Sequence, residues 1–314
     1  MRRIKKNLKW TVIVLLFLVA AITIATASRQ NLKYNAPYPD IKASKDTASI
    51  ARGRHLVISA AHCIDCHNKL NSDSIFKLGK EVPLTGGIPF ELPVGEVYTR
   101  NITPDVETGI GKYTDAEIAR ELRYGVKPDG SAMFDFMPFH NTSDEDLRAI
   151  ISYLRSQPPV KYKVPDNITN LPGKFVKALL MKPTGPTGEV MKSVVKDTTA
   201  VYGRYFASSV ANCRGCHTKR DMMTGAFIGK DFAGGLEVEG FTTPNLTPDS
   251  SGRIFNWSKQ NFIDRFRMGN LVSKSPMSWN SFKRMTDDEL TAIYNYLKTV
   301  KPVRTEPMDI DNKQ

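Results

Sequence analysis

The chain has 314 residues, 41% apolar and 24% charged, which excludes a disordered polymer and leaves room for two ordinary domains with their own cores. Its formal charge is +12, and five of the basic residues, Arg2, Arg3, Lys5, Lys6 and Lys9, are gathered at the N-terminus. Without them 39 Lys and Arg face 32 Asp and Glu, a moderate excess that suits an acidic docking partner or an anionic membrane surface, and no basic helix follows that would serve nucleic acid.

The first predicted element is the uncharged run from Trp10 to Ala27, 18 residues long and just sufficient to span a bilayer. Residues 1–28 are read as an inner-membrane anchor. The alternative is a signal segment cleaved near Ala27, because Ala25-Thr26-Ala27 fits a small-residue cleavage site. In both cases the basic flank stays in the cytoplasm and the remainder of the chain is placed in the periplasm.

Beyond the leader the chain repeats itself. "RGRHLVISAAHCIDCHN" from Arg52 aligns without a gap on "YGRYFASSVANCRGCHT" from Tyr202, at an offset of 150. "RNITPD" from Arg100 parallels "PNLTPD" from Pro244, and "SDEDLRAIISYLRS" from Ser143 parallels "TDDELTAIYNYLKT" from Thr286. Three blocks in one order indicate a duplicated domain.

Each copy reads as helical. A helix carrying Gly53 or Gly203 precedes each cysteine pair, and the glycine, costly in a helix, calls for close approach by another helix, with Tyr153 and Tyr296 as candidates. A middle helix is predicted from the Thr114/Glu117 capping box to Gly125, and its counterpart from Ser258 to Gly269. In the last helix of the first copy Leu147, Ile150, Ile151 and Leu154 recur at helical spacing; Leu290, Ile293, Tyr294 and Leu297 do so in the second. Tracts such as "VPLTGGIPFELPVGEVYTRNITPD" read as long loops that wrap something. Residues 158–197 read as a Pro/Gly-rich basic linker with one short helix from Phe175 to Met181.

The chemistry sits in Cys63-Ile64-Asp65-Cys66-His67 and Cys213-Arg214-Gly215-Cys216-His217. A zinc ribbon needs its two cysteine pairs much closer than 150 residues, and a redox dithiol needs a strand-rich setting. A Cys63–Cys66 disulfide would close a strained small loop. The CxxCH pattern, present twice in register, indicates covalent c-type haem attachment: two thiols for two vinyl groups, and the adjacent histidine as iron ligand. His55 and His62 align with Tyr205 and Asn212, so neither position demands an imidazole, and both are read as surface or packing residues.

With these blocks in this order the chain resembles the class I cytochrome c family, in particular the cytochrome subunits of membrane-bound bacterial alcohol and gluconate dehydrogenases. The resemblance covers nearly all of residues 46–157 and 198–303. It implies an all-α fold, two tandem class I cytochrome c domains after an N-terminal hydrophobic helix, and two covalently bound haem c groups. The family usually carries three haem domains where this chain has two. Its "ITPD" segment lines the haem pocket, and its sixth ligand sits in a Met-Pro-aromatic step. That step matches Met137-Pro138-Phe139, with Met133 and His140 as competitors. In the second copy Met277-Ser278-Trp279 matches, with Met285 and Met268 as competitors. Met285, Met268 and Met181 are read as core filler. The metal ligands expected are thus His67, Met137, His217 and Met277.

The function expected is electron transfer, not catalysis, between a dehydrogenase or respiratory donor and an acceptor. A dehydrogenase, a quinol-oxidising complex or a terminal oxidase would be the redox partner, and the inner membrane the support. The alternative is a dihaem peroxidase-like enzyme, which needs an open or displaceable iron position.

Overall fold

The computed structural model describes residues 2–70, 72–137, 139–221, 225–272 and 275–306, with side chains from Asn7 onward. The leader is one helix, α1 (Arg2–Ser28), whose segment Asn7–Ser28 is long and apolar enough to cross a membrane and packs none of that surface inside the protein.

The first copy opens with α2 (Thr47–Ile58) and the short α3 (Cys63–His67), followed by α4 (Ser72–Lys77). Helix α5 (Asp115–Tyr124) starts at the full Thr114/Glu117 capping box and stops at Gly125, whose φ of 60° is left-handed. Helix α6 (Asp144–Ser156) is capped by the Ser143 hydroxyl, which accepts from the Asp146 N–H. Replacing Thr114 with alanine removes half of the α5 capping box and is expected to cost about 1 kcal/mol, read as a lower midpoint in urea unfolding.

All four periodic residues of α6 are buried, but they face two ways. Ile150 and Leu154 join the main core with α2, while Leu147 and Ile151 meet Ile41, Ile118 and Ala119 in a smaller cluster against α5. Helix α2 crosses α6 at Gly53. A Cβ there would lie 1.8 Å from the Ala149 carbonyl oxygen and 2.9 Å from the Tyr153 Cβ. The close approach predicted from the glycine is present, with the backbone of Ala149 nearer than the tyrosine.

Between the copies lies β3 (Ile168–Thr169), then α7 (Leu171–Phe175), which runs on as a π turn over Val176–Leu180. This helix starts four residues earlier than predicted, capped by the Asn170 side chain with Pro172 in the first turn. The second copy repeats the plan with α8 (Ala200–Tyr205) and its π extension Phe206–Val210, α9 (Cys213–His217), α10 (Lys259–Arg267), α11 (Trp279–Phe282) and α12 (Asp287–Leu297). Gly203 meets the Ala292 carbonyl at 1.9 Å, as Gly53 meets Ala149.

The fold is mostly helical but not purely so. The tract read as a long loop holds a hairpin, β1 (Pro89–Leu92) and β2 (Gly95–Tyr98), turning at Pro93-Val94, and β2 pairs on its other edge with β3. A smaller hairpin, β4 (Glu237–Val238) and β5 (Phe241–Thr242), stands at the corresponding place of the second copy. Three and two short strands satisfy backbone groups that a bare loop would leave to water.

One apolar core runs through both copies, from Leu56, Ile64 and Tyr153 to Phe206, Phe266, Leu290 and Ile293. At its centre lies a buried polar knot. Arg52 donates to Asp146 (2.9 Å), Glu289 (2.9 Å) and the Tyr202 hydroxyl (3.2 Å). His55 meets Glu289 at 2.8 Å, and the Tyr205 hydroxyl donates to Asp146 at 2.8 Å. Residues 55 and 205 are equivalent at the 150-residue offset, and Asp146 and Glu289 each follow a helix cap by three. Each copy therefore reaches the same acidic position of the other, the reciprocal contact of a two-fold pair.

Candidate haem-attachment sites

Each CxxCH motif is a single helical turn entered through a left-handed residue, His62 (φ 40°) or Asn212 (φ 49°). That turn reverses the chain at the end of α2 or of the α8 extension and places Cys63, Cys66 and His67, or Cys213, Cys216 and His217, on successive positions of one short helix. The thiols at i and i+3 share a face. Burial, followed by the neighbouring thiol, pushes Cys63 up to about 12 and Cys213 to about 12, while burial and Asp65 push Cys66 to about 11. Burial also raises the partly surface-exposed Cys216. Burial thus disfavours the thiolate form at all four positions. All four are free of disulfides.

The histidines are buried and oriented from outside the motif. The Nδ1 of His67 lies 2.7 Å from the Arg100 carbonyl, and that of His217 lies 3.0 Å from the Pro244 carbonyl. A carbonyl can only accept, so Nδ1 carries the proton and Nε2 keeps its lone pair for a metal. Burial pushes both imidazoles below the ordinary histidine range, against the pull of those carbonyls, and so favours the neutral ligating form.

The accepting carbonyls are held by the residues that follow them. Asn101 donates to the Val160 carbonyl at 2.8 Å and accepts from the Thr103 N–H at 3.0 Å. Asn245 does the same with Val303 (2.8 Å) and Thr247 (2.8 Å). Gly86 and Gly234 complete the cradle: their N–H groups donate to the His67 and His217 carbonyls, each at 2.8 Å, and both glycines are left-handed. The repeated Asn-x-Thr was visible in the sequence; its task of holding the carbonyl that orients the histidine was not.

Met137 and Met277 are half-buried, and both pack against the main core that Cys63 and Cys213 also touch. Their loops share a turn, in which the Phe139 N–H donates to the Met137 carbonyl (2.8 Å) and the Trp279 N–H to the Met277 carbonyl (2.7 Å). Pro138 lies outside the described residues. Two arginines close the far ends of these loops, a role the sequence reading missed. Arg123 donates to the Thr142 carbonyl (2.7 Å) and Asp144 (2.6 Å), and Arg267 to the Lys283 carbonyl (2.6 Å) and Asp287. The signal for them was the repeated "LRYG" and "FRMG" at the ends of the middle helices.

The competing ligands fall away differently. Both ring nitrogens of His140 are committed, Nδ1 to the Arg123 carbonyl (2.9 Å) and Nε2 to Asp135 (2.9 Å). Met285 is core filler, as read from the sequence, but Met268 is 61% exposed and is not. It caps α10 one residue before the left-handed Gly269, where the chain turns out to solvent. His62 packs edge-on against Phe282 (5.3 Å between ring centroids), and His55 belongs to the polar knot. Packing roles suit both.

The first motif also meets the methionine loop of the second copy. Asp65, inside the first, accepts from the Ser281 hydroxyl of α11 at 2.7 Å and shares a shallow cleft with Met277 and Trp279. The donor set in each copy, two neutral thiols and one neutral imidazole with a free Nε2, fits haem c.

No known protein-family profile matches the chain. Individual proteins do. The fructose dehydrogenase cytochrome subunit of Gluconobacter japonicus is 29% identical over 91% of this chain and 59% of its own length. The gluconate 2-dehydrogenase cytochrome c subunit of Pantoea cypripedii is 28% identical over 81% of this chain and 60% of its own. A diheme c-type cytochrome of Cereibacter sphaeroides is 25% identical over 82% of this chain and 88% of its own. The chain thus spans about three-fifths of the dehydrogenase cytochrome subunits it matches. Over most of its own length it is similar to the cytochrome c subunits of fructose, alcohol and gluconate dehydrogenases and to a diheme cytochrome c.

Proposed function

We propose that the chain is a dihaem electron-transfer protein, with one haem c on Cys63, Cys66 and His67 and a second on Cys213, Cys216 and His217. Met137 and Met277 serve as sixth ligands in two tandem class I cytochrome c domains, residues 46–157 and 198–303, joined by the linker 158–197. Residues 1–28 anchor the chain in the inner membrane with the haem domains in the periplasm. There it carries electrons from a dehydrogenase, the partner its relatives' names favour, to a quinol-linked or terminal acceptor. The observation that carries this reading is the duplicated CxxCH turn whose histidine is fixed by a carbonyl through Nδ1.

Bound haem c supplies the one-electron iron couple. The chain's residues do the rest. The thiols hold the group covalently, the Asn101 and Asn245 cradles fix the imidazole tautomer, and the methionine loops, closed by Arg123 and Arg267, favour the reduced metal through a thioether. The Asp65–Ser281 contact brings the methionine loop of one copy against the attachment motif of the other, so exchange between the sites crosses a single packed interface.

Alkaline pyridine spectra are expected to give two covalently held haems per chain. Replacing Met137 and Met277 separately with alanine should each lower one haem potential by on the order of 100 mV, within the roughly 0.8 V that axial ligands span. If neither potential falls, the methionine assignments are wrong. Rapid carbon monoxide binding by the reduced parent protein would favour an open-site enzyme instead.

A further inference from the structure

The linker helix, α7 with its π extension, and the strand before it carry exposed apolar side chains that the electron-transfer role does not use. Ile168 is 59% exposed, Leu171 78%, Phe175 39% and Leu180 48%. This apolar surface is interleaved with Lys174, Lys177 and Lys182, and no acidic residue occurs from Asn167 to Gly188. Exposed apolar side chains with lysines among them suit a helix lying in a membrane interface.

Its position supplies an independent argument. The backbone of the same helix is bound to the segment that leaves α1. Gln30 donates to the Lys174 carbonyl (2.9 Å), Arg29 to the Ala178 carbonyl (3.0 Å) and the Tyr34 hydroxyl to the Met181 carbonyl (2.9 Å). Gln30 also donates to the Thr26 carbonyl inside the apolar stretch (2.8 Å), so the helix sits level with the last turn of α1, where hydrocarbon gives way to headgroups. Arg29 adds positive charge at the same level, whereas Lys33 is paired with Asp129 at 3.4 Å.

We infer that residues 168–182 form an interfacial membrane-binding element. Leu171, Phe175 and Leu180 enter the headgroup boundary, and Lys174, Lys177 and Lys182 meet anionic lipid. The inference rests on α1 being a membrane anchor. Because β3 extends the β1–β2 hairpin and Gly173 packs 1.9 Å (as a Cβ) from the Val94 carbonyl, the element also pins the first copy to the membrane surface. The anchor then acts as a fixed mount rather than a flexible tether.

The test uses the full haem-loaded chain in nanodiscs, where the four native cysteines are tethered and a single introduced cysteine takes a spin label. Labels at Leu171→Cys, Phe175→Cys and Leu180→Cys are expected to be oxygen-accessible and shielded from a water-soluble nickel chelate. A label at Val195→Cys should be aqueous, and one at Leu16→Cys deep in hydrocarbon. In discs containing phosphatidylglycerol, changing Lys174, Lys177 and Lys182 together to glutamine should raise nickel accessibility at Leu171→Cys several-fold, with little change in phosphatidylcholine discs. If labels at 171, 175 and 180 are as aqueous as at 195 while that at 16 stays in hydrocarbon, the inference is overturned, the anchor stands, and the apolar surface is left to a protein partner. An aqueous label at 16 overturns both. An unchanged depth in the triple-glutamine protein overturns the anionic-lipid assignment.

Discussion

Replacing Gly53 with alanine is expected to destabilise the protein by about 3 kcal/mol or more, at or above the upper end of ordinary overpacking. The added Cβ would stand 1.8 Å from the Ala149 carbonyl oxygen and 2.5 Å from its carbon, both backbone atoms of α6 that no rotamer change can move. Helices α2 and α6 would have to separate, and α2 leads through His62 directly into Cys63. Haem attachment to the first motif should therefore fall along with stability. Gly203→Ala should do the same in the second copy, against the Ala292 carbonyl at 1.9 Å. Gly188→Ala is the control, since a Cβ there meets nothing within 4 Å. Equal guanidinium midpoints for Gly53→Ala and Gly188→Ala would sink the packing argument.

Removing Glu289 should be the second large effect. It is buried and accepts from Arg52 of the first copy, meets His55, and completes the α12 capping box with Thr286. Breaking a buried ion pair from one side costs about 3–5 kcal/mol, and because Arg52 keeps Asp146, Glu289→Ala is expected at the lower end of that range. Glu289→Gln, which keeps the cap and the shape, should lose less. Being buried, the contribution should change little between low and high salt, unlike the exposed Lys161–Glu107 pair.

The same residue sets a pH dependence with a definite sign. Burial alone would raise the Glu289 carboxyl, but hydrogen bonding and charge from His55, the Thr286 N–H and Arg52 hold it below the ordinary range. A carboxyl with a depressed folded value stabilises fully above its unfolded value, about 4.3, and loses that stabilisation as pH falls through the folded one. Acid unfolding of the parent protein should therefore steepen below about pH 4.3, and the Glu289→Gln protein should lack that component. Parallel acid profiles for the two proteins would contradict it.

Much of the molecule was legible in its residues. The leader helix needed only an uninterrupted apolar run, because its stability in lipid is internal to the segment. The capping boxes at Thr114 and Thr286 marked helix starts because capping is a contact between residues three apart. The geometry of CxxCH was legible for the same reason: both thiols and the histidine lie on one helical turn, so spacing alone places them. Gly53 and Gly203 announced a helix crossing, since a glycine inside a helix costs stability unless something replaces its side chain.

What the sequence by itself could not decide depends on partners far away in the chain. The hairpin β1–β2 was hidden in a tract that Pro93 and the glycines made look like loop, and its third strand comes from residues 168–169, some 70 positions on. The carbonyls that orient His67 and His217 stand 33 and 27 residues beyond them. The knot of Arg52, His55, Asp146, Tyr205 and Glu289 joins residues up to 237 apart and exists only because the two copies dock face to face. Met268, filler by composition, turned outward because its position at a helix end, rather than its side chain, chose its side. Local spacing wrote the two CxxCH turns into the chain; the orientation of the histidines and the locking of the two copies came from long-range hydrogen bonds that only the folded backbone brings within reach.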